Sequence, residues 1–108
     1  VLALAGLMAA CGDRAPEATA AASAAARPLR VAVAFAIGGR EDDGFNRGAA
    51  AGADEVARDG SVTLRFADGV PDSARQAAVD ALADSADLVI GVGFLMSDPL
   101  TQAARRHP

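Results

Sequence analysis

Three apolar runs, each followed by a segment of helical periodicity, organise the chain from residue 29 onward. Residues 29–36 and 87–93 are almost continuously apolar, as expected for parallel strands that are buried on both faces. Residues 61–66 alternate between apolar and polar positions, which is typical of a strand with one buried face. The pattern therefore predicts three strands.

The segments that follow these strands have the spacing of amphipathic helices. The first runs from Phe45 to about Asp59, where Gly60 stops it. The second begins after Pro71, and the third begins at Ser97 and continues through about residue 107. The predicted buried stripes are Phe45, Ala49, Ala53, Val56 and Ala57 in the first helix and Ala74, Ala77, Ala78, Ala81 and Leu82 in the second.

Strands that alternate with helices predict an α/β fold of the form βαβαβα, with a parallel sheet and right-handed crossovers. We expect the strand order 2-1-3, with the first strand in the centre. The crossovers after strands 1 and 3 then leave toward opposite faces, and ligands of open α/β sheets bind beside the carboxyl ends of the strands at such a switch. The two segments placed there are residues 37–46 and 93–98.

The start of the chain has a different character. Residues 1–10 form a short apolar run that ends in small residues, which suits the end of a signal peptide and is too short to span a bilayer. Cys11 follows directly, an arrangement that resembles the bacterial lipobox, in which this cysteine carries the lipid. Residues 12–28 are Ala-rich and lack large apolar side chains, which predicts a tether. The alternative is that residues 1–10 are a buried strand or helix and Cys11 is a core thiol.

Charge and composition exclude several classes of function. The 108 residues carry a net charge of −4 with no basic stripe, which argues against a nucleic-acid partner. Cys11 is the only cysteine, so an intrachain disulfide and a cysteine-rich metal site are excluded. The sequence has no dinucleotide fingerprint, no metal-ligand spacing and no nucleophile–base set. His107 is predicted to be a solvated residue near a helix end. No cofactor and no enzymatic activity are expected.

The segment after the first strand carries the first candidate binding residues. Gly38 and Gly39 allow a sharp turn and a close approach to a ligand. Phe45 offers a flat ring for stacking, and Asn46 offers a donor and an acceptor. The acids at residues 41–43 precede a helix, where negative charge is favoured. The alternative is that the acids only stabilise the helix end while Phe45 packs between helix and sheet. An acidic pair after the first strand is also found in phospho-accepting receiver domains, but there it follows the strand directly, whereas here Gly38, Gly39 and Arg40 intervene.

The segment after the third strand carries the second group. Residues 94–96, with the sequence Phe-Leu-Met, either line a pocket wall or belong to the core. Ser97 and Asp98 either bind ligand hydroxyls or cap the helix that begins there.

Residues 31–46 together with residues 87–98 resemble the basic membrane protein family of solute-binding lipoproteins. The resemblance implies the type I periplasmic-binding-protein fold, with residues 29–108 as the N-terminal part of its first lobe behind a truncated signal peptide (1–10) and a lipidated tether (11–28). It also implies purine-nucleoside binding for an ABC importer. The matching features are the Gly38-Gly39 turn, the acidic pair Glu41-Asp42, the Phe45-Asn46 pair and the apolar run of residues 87–94.

By this resemblance, Phe45 would stack on the purine and Asn46 would hydrogen-bond near it. One position departs from the family pattern, because Ala36 stands where family members have an aspartate that contacts the ligand; another is Asp43, where a basic residue is common. The expected partners are a small-molecule ligand, a transporter permease and, through the lipid on Cys11, the outer face of the cell membrane. The candidate ligand-binding residues are Gly38, Gly39, Asp42, Phe45, Asn46 and Asp98.

Other readings of the same chain remain open. A sibling of the family that binds another small polar solute, such as a sugar, would have the same fold and crevice. A fragment of an α/β enzyme is a rival from another class, and a fragment without activity, because the opposite lobe is missing, is a third.

Overall fold

A computed structural model describes residues 27–108 of the protein. The predicted signal segment, Cys11 and the tether up to residue 26 lie outside this range. The elements are β1 (Leu29–Phe35), α1 (Phe45–Ala57), β2 (Val62–Ala67), α2 (Asp72–Ser85), β3 (Leu88–Val92), a 3₁₀ turn (Phe94–Met96) and α3 (Ser97–Arg106). No helix in this range is both long and apolar enough to cross a bilayer.

The three strands form one parallel sheet in the order β2-β1-β3. Val31 of β1 aligns with Leu64 of β2 on one side and with Leu88 of β3 on the other. Strand β1 is central, and residues 31–36 are all buried, which explains why this stretch is apolar on both of its faces. The predicted α/β class, the parallel sheet and the strand order are confirmed.

The face of β1 that carries small side chains lies against α2 and α3. Ala32, Ala34 and Ala36 alternate along the strand and point to this side. Because alanine is small, the two helices can approach the sheet closely. The buried residues that fill this layer together with the alanines are Val79, Leu82, Met96 and Ala103.

The opposite face of β1 carries larger side chains and lies under α1. Val31, Val33 and Phe35 pack with Ala50 of α1. Phe66 of β2 stacks on Phe35, with ring centroids 6.2 Å apart and planes 17° from parallel. One helix therefore covers a face of large residues and two helices cover a face of alanines.

The buried face of α1 matches the predicted one in part. Ala49, Ala53 and Ala57 of the predicted stripe are half-buried, and the first two pack against the core. Asn46 and Ala50 are buried, whereas Phe45 and Val56, which also belong to the predicted stripe, are exposed. The helix is rich in alanine and glycine, so several faces have nearly equal hydrophobicity. Tertiary packing, rather than periodicity, selects which face is buried.

The buried face of α2 also differs, although Leu82 was predicted correctly. Arg75, Val79 and Leu82 are buried, while Ala77 and Ala81 of the predicted stripe are exposed. The observed spacing of i, i+4 and i+7 is regular for a helix face. The prediction missed Arg75 because it is charged, and it missed Val79 because the alanines of this helix suggest a stripe that is offset from the observed one.

Helix α3 and the turn before it fold back onto β3 at Gly91. A Cβ atom at this position would lie 2.6 Å from Leu100 Cδ1 and 2.7 Å from Met96 Cβ. The absence of a side chain at Gly91 is therefore what lets the turn and the helix rest directly on the strand.

The amino edge of the sheet is held by a charged cluster around Asp87. Both oxygens of this carboxylate accept from the Arg27 guanidinium, at 2.6 and 2.8 Å. Arg30 donates from its backbone nitrogen and from Nη2, each at 2.9 Å. These hydrogen bonds hold the pKa of Asp87 far below its usual range. Those from Arg27 have the largest effect, and those from Arg30 have the next largest.

This cluster predicts that stability depends on pH in acid. The pKa of Asp87 is lower in the folded state than in the unfolded state, so its stabilising contribution is complete above the usual carboxyl pKa of about 4 and is lost as the pH falls below it. The unfolding midpoint of full-length Asp87→Asn in urea should therefore lie below that of the wild type at pH 7. The difference should shrink toward pH 2.

The matched control is Asp54→Asn, at an exposed position on α1. Its midpoint should follow the wild type at each pH. A deficit of Asp87→Asn that stayed constant from pH 7 to pH 2 would contradict the assignment.

Candidate functional site

The carboxyl edge of the sheet gathers the loops that follow β1 and β3. Helix α1 leaves β1 toward one face, whereas α3 leaves β3 toward the other, so the two adjacent strands diverge at this edge. The strand ends remain in contact: the Ala36 nitrogen donates to the Val92 carbonyl at 3.1 Å. A Cβ atom on Gly93 would lie 3.1 Å from Ala36 Cβ. The two predicted segments are thus brought together at a switch point.

The loop after β1 is shaped by its glycines and held by Asn46. Gly38 and Gly39 have φ values of 83° and 68°, in the left-handed region that side chains other than glycine rarely adopt. The Asn46 side chain is buried, and its Nδ2 donates to the carbonyls of Ile37 at 2.6 Å and Gly39 at 3.1 Å. Asn46 therefore fixes the shape of the loop. Its predicted contact with a ligand stays a prediction.

The acids after the glycines act on the start of α1. Asp42 Oδ1 accepts from the backbone nitrogens of Gly44 at 3.2 Å and Arg47 at 3.0 Å, which satisfies donors that a helix start leaves without partners. Asp43 forms an ion pair with the Arg47 side chain at the surface. These contacts match the helix-stabilising role that was the alternative to ligand binding for the acidic residues.

Arg40 ties the same loop to the end of β2. Its backbone nitrogen and its Nε donate to the two oxygens of Asp68, at 2.9 and 2.8 Å. Its guanidinium lies over the Phe66 ring, 4.4 Å from the centroid. Sequence reasoning missed this contact because its partners are far apart along the chain.

Aromatic side chains stand exposed at this edge. Phe45 is 78% exposed and Phe94 is 88% exposed, and Ile37 is exposed beside the glycines. All three residues lie at the carboxyl ends of strands or at the start of the helix that follows, where ligands of open α/β sheets bind. The Phe45 ring does not pack between helix and sheet, so that alternative for Phe45 is wrong. The exposed ring meets the requirement for a stacking platform.

Two open depressions lie at this edge of the sheet. One, of about 560 Å³, lies between the first turns of α2 and α3 and is lined by Phe94 and Asp98 among others. The second, of about 340 Å³, lies over the end of β1 and is lined by Gly38. Of the six predicted ligand-binding residues, Asp98 and Gly38 line these depressions, whereas Gly39, Asp42, Phe45 and Asn46 line neither. The residues common to both depressions are Asp72, Arg75 and Leu95.

Arg75 was missed by the sequence analysis. Its side chain is only 10% exposed, Nη1 donates to Asp72, and Nε has no hydrogen-bond partner in the part of the chain that the structure describes. The neighbouring Gln76 donates from Nε2 to Asp80 Oδ1 at 3.1 Å and to the Pro99 carbonyl at 3.3 Å, while its buried Oε1 has no partner there. The signal that could have identified Arg75 is its position in register with the buried Val79 and Leu82.

Metal binding has no geometric basis in the described range. Residues 27–108 contain no cluster of three histidine, cysteine or acidic side chains that could hold an ion. His107 lies beside Asp84, at 3.5 Å, and lines a depression with Asp87 at the amino edge, opposite the exposed rings.

Comparison with known proteins gives two similarities, and no protein-family model matches the sequence. The chain is 32% identical over 85 residues to an uncharacterized lipoprotein of Pyrococcus abyssi, covering 77% of this chain and 21% of that protein. It superposes with a TM-score of 0.68 and 38% identity on the crystal structure of an ABC transporter system solute-binding protein from Aeropyrum pernix K1, covering 75% of this chain and 22% of that one. The chain thus spans about a fifth of the length of each relative, and the predicted fold is that of the matching part of a solute-binding protein.

Proposed function

We propose that this chain forms part of the ligand-binding lobe of a lipid-anchored solute-binding protein that delivers a small polar solute to an ABC importer. The observation that carries the proposal is the carboxyl edge of the sheet, where exposed rings and two depressions lie at the switch point between β1 and β3. The same fold in the Aeropyrum solute-binding protein supports it. The similarity to an archaeal lipoprotein supports the anchor and a location on the outer face of the cell membrane.

A purine nucleoside is the solute that we propose first. The exposed Phe45 ring supports it, because a flat apolar surface suits a purine base. Ala36 at the end of β1 argues against a purine nucleoside, because members of the basic membrane protein family have at this position an aspartate that contacts the ligand. A sugar in the same depressions is the second candidate, because many of the lining side chains are polar.

A binding role also accounts for the site better than catalysis does. The only histidine lies at the opposite edge of the sheet from the exposed rings. Ser97 at the edge itself donates its hydroxyl to the Phe94 carbonyl at 2.9 Å, so this hydroxyl shapes the turn. We therefore propose that the solute leaves chemically unchanged.

Titration calorimetry on the full-length protein tests the proposed function. Guanosine, inosine and adenosine should each be titrated beside ribose and glucose, and the nucleoside should be recovered afterwards by chromatography. Heat with a nucleoside and recovery of the intact compound are expected. Heat with a sugar alone would favour the second candidate, and recovery of a free base would indicate an enzyme. No heat with any of these solutes would contradict the proposal.

The anchor gives a separate prediction. Full-length protein expressed in a bacterium should incorporate a labelled fatty acid and sediment with membranes, because Cys11 follows a run of small residues as in a lipobox. Cys11→Ser should lose both the label and the membrane association. Ser23→Ala, in the same segment, is the matched control and should retain them. Equal labelling of the wild type and Cys11→Ser would refute lipid attachment at this residue.

A further inference from the structure

The depression between α2 and α3 contains a charge pair whose hydrogen-bonding capacity is only partly used. We propose that Asp72, Arg75 and Gln76 form a subsite that binds hydroxyl groups of the solute, such as those of a ribose or of a free sugar. This inference rests on the proposed function and deepens it, because it names the chemistry that one part of the site recognises.

Arg75 and Gln76 each have one polar atom without a hydrogen-bond partner, and the two atoms are of complementary kinds. Arg75 Nε is a buried donor and Gln76 Oε1 is a buried acceptor, and neither has a partner among residues 27–108. Buried polar atoms of folded proteins are nearly always hydrogen-bonded, so such atoms beside a depression point to an absent partner. A hydroxyl group supplies both an acceptor for Arg75 Nε and a donor for Gln76 Oε1.

The orientation of the Gln76 amide is fixed by its contacts. Its Nε2 faces two acceptors, Asp80 Oδ1 and the Pro99 carbonyl, which only an NH₂ group can satisfy. Oε1 must therefore be the atom without a partner. Gln76 lines the larger depression, and Arg75 lines both.

The charges of the pair argue for a neutral hydroxyl rather than an anion. Arg75 already has a counter-ion in Asp72, whose side chain is 83% exposed. An anionic solute would meet this carboxylate and be repelled, or would have to displace it. A solute with two adjacent hydroxyls can donate to Asp72 and accept from Arg75 at the same time.

The subsite requires a rotation of the Arg75 side chain when the solute binds. Arg75 Nε and Gln76 Oε1 are both enclosed in the structure, so they reach a solute hydroxyl only when the guanidinium and the amide turn toward a depression. The lack of a partner for Nε favours this rotation, because a buried donor without an acceptor is destabilising.

The experiment compares guanosine with dideoxyguanosine, which lacks the ribose hydroxyls, by calorimetry on full-length wild type, Arg75→Met and Asp72→Asn. Wild type should bind guanosine about tenfold or more tightly than the dideoxy analogue. Arg75→Met should lose most of this ratio and Asp72→Asn a part of it, while both bind the dideoxy analogue as the wild type does. Asp72→Asn is the second variant should Arg75→Met fail to fold, because its amide oxygen can still accept a hydrogen bond from Arg75.

Arg65→Gln is the matched control, since Arg65 is an exposed arginine that contacts Ser85, away from the depressions. It should keep the wild-type ratio. An unchanged ratio in Arg75→Met or Asp72→Asn would overturn the subsite while leaving the proposed function intact. Tighter binding of guanosine monophosphate than of guanosine would overturn it as well.

The same comparison covers the other source of hydroxyls. If ribose binds and guanosine does not, ribose and deoxyribose replace the nucleosides and the same loss of ratio is expected. A wild type that binds none of these probes would overturn the proposed function, and the subsite with it.

Discussion

Removal of the Phe45 ring is expected to weaken purine-nucleoside binding by about 1–3 kcal/mol, the range found when aromatic platforms for bases are truncated. This corresponds to roughly a fivefold to 150-fold increase in Kd. The ring begins α1 at the carboxyl edge and is largely exposed, so its loss removes a stacking surface rather than part of the core. Stability of Phe45→Ala should therefore stay close to that of the wild type.

Two companion variants make the result specific. Phe45→Tyr keeps an aromatic face and should retain most of the affinity, whereas Val56→Ala removes another exposed apolar side chain of α1 and should have no effect. Calorimetry with guanosine on the full-length proteins gives the affinities, and urea unfolding gives the stabilities. Equal affinity of the wild type and Phe45→Ala would remove Phe45 from the site.

Substitution of Gly91 by alanine is expected to lower the free energy of unfolding by about 1–3 kcal/mol, as for other overpacked cores. The added Cβ would meet Met96 Cβ at 2.7 Å, and this atom, close to its own backbone, cannot move aside without moving the turn. Leu100 Cδ1, at 2.6 Å, can rotate away more easily. Replacing glycine in a strand gains only about 0.5–1 kcal/mol in backbone entropy, so the steric cost dominates.

Gly52→Ala is the matched control for this prediction. Gly52 lies within α1, and a Cβ atom there would have no neighbour within 4 Å. The substitution should raise the free energy of unfolding by up to about 1 kcal/mol, because alanine has a higher helix propensity than glycine. Urea unfolding of the full-length variants distinguishes the two positions. Stabilisation by both substitutions would show that α3 does not rest on β3 in the way described.

The sheet could be predicted from the sequence because its signal is strong. Residues 31–36 are apolar on both faces, and such a strand must lie in the interior of a sheet covered on both sides. Helix faces were harder to predict. In α2, alanines occupy exposed and half-buried positions alike, so periodicity gave a stripe offset from the one that Val79 defines.

Of the candidate site, only the backbone conformation of the loop after β1 could be predicted from the sequence. Gly38 and Gly39 indicated a turn that only glycine makes easily, and the structure has both at positive φ. The contact between Arg40 and Asp68 depends on how β2 aligns beside β1, which local sequence does not encode. Arg75 could have been found, since a charged residue on a buried helical stripe requires an explanation.

The Arg27–Asp87 contact also fixes where the chain enters the sheet. It holds the chain where it joins the sheet, at the edge opposite the exposed rings. With lipid on Cys11, residues 12–26 reach no farther than about 50 Å even when fully extended. Under the proposed function, a tether that joins the lobe at this edge would leave the exposed rings at the opposite edge unobstructed.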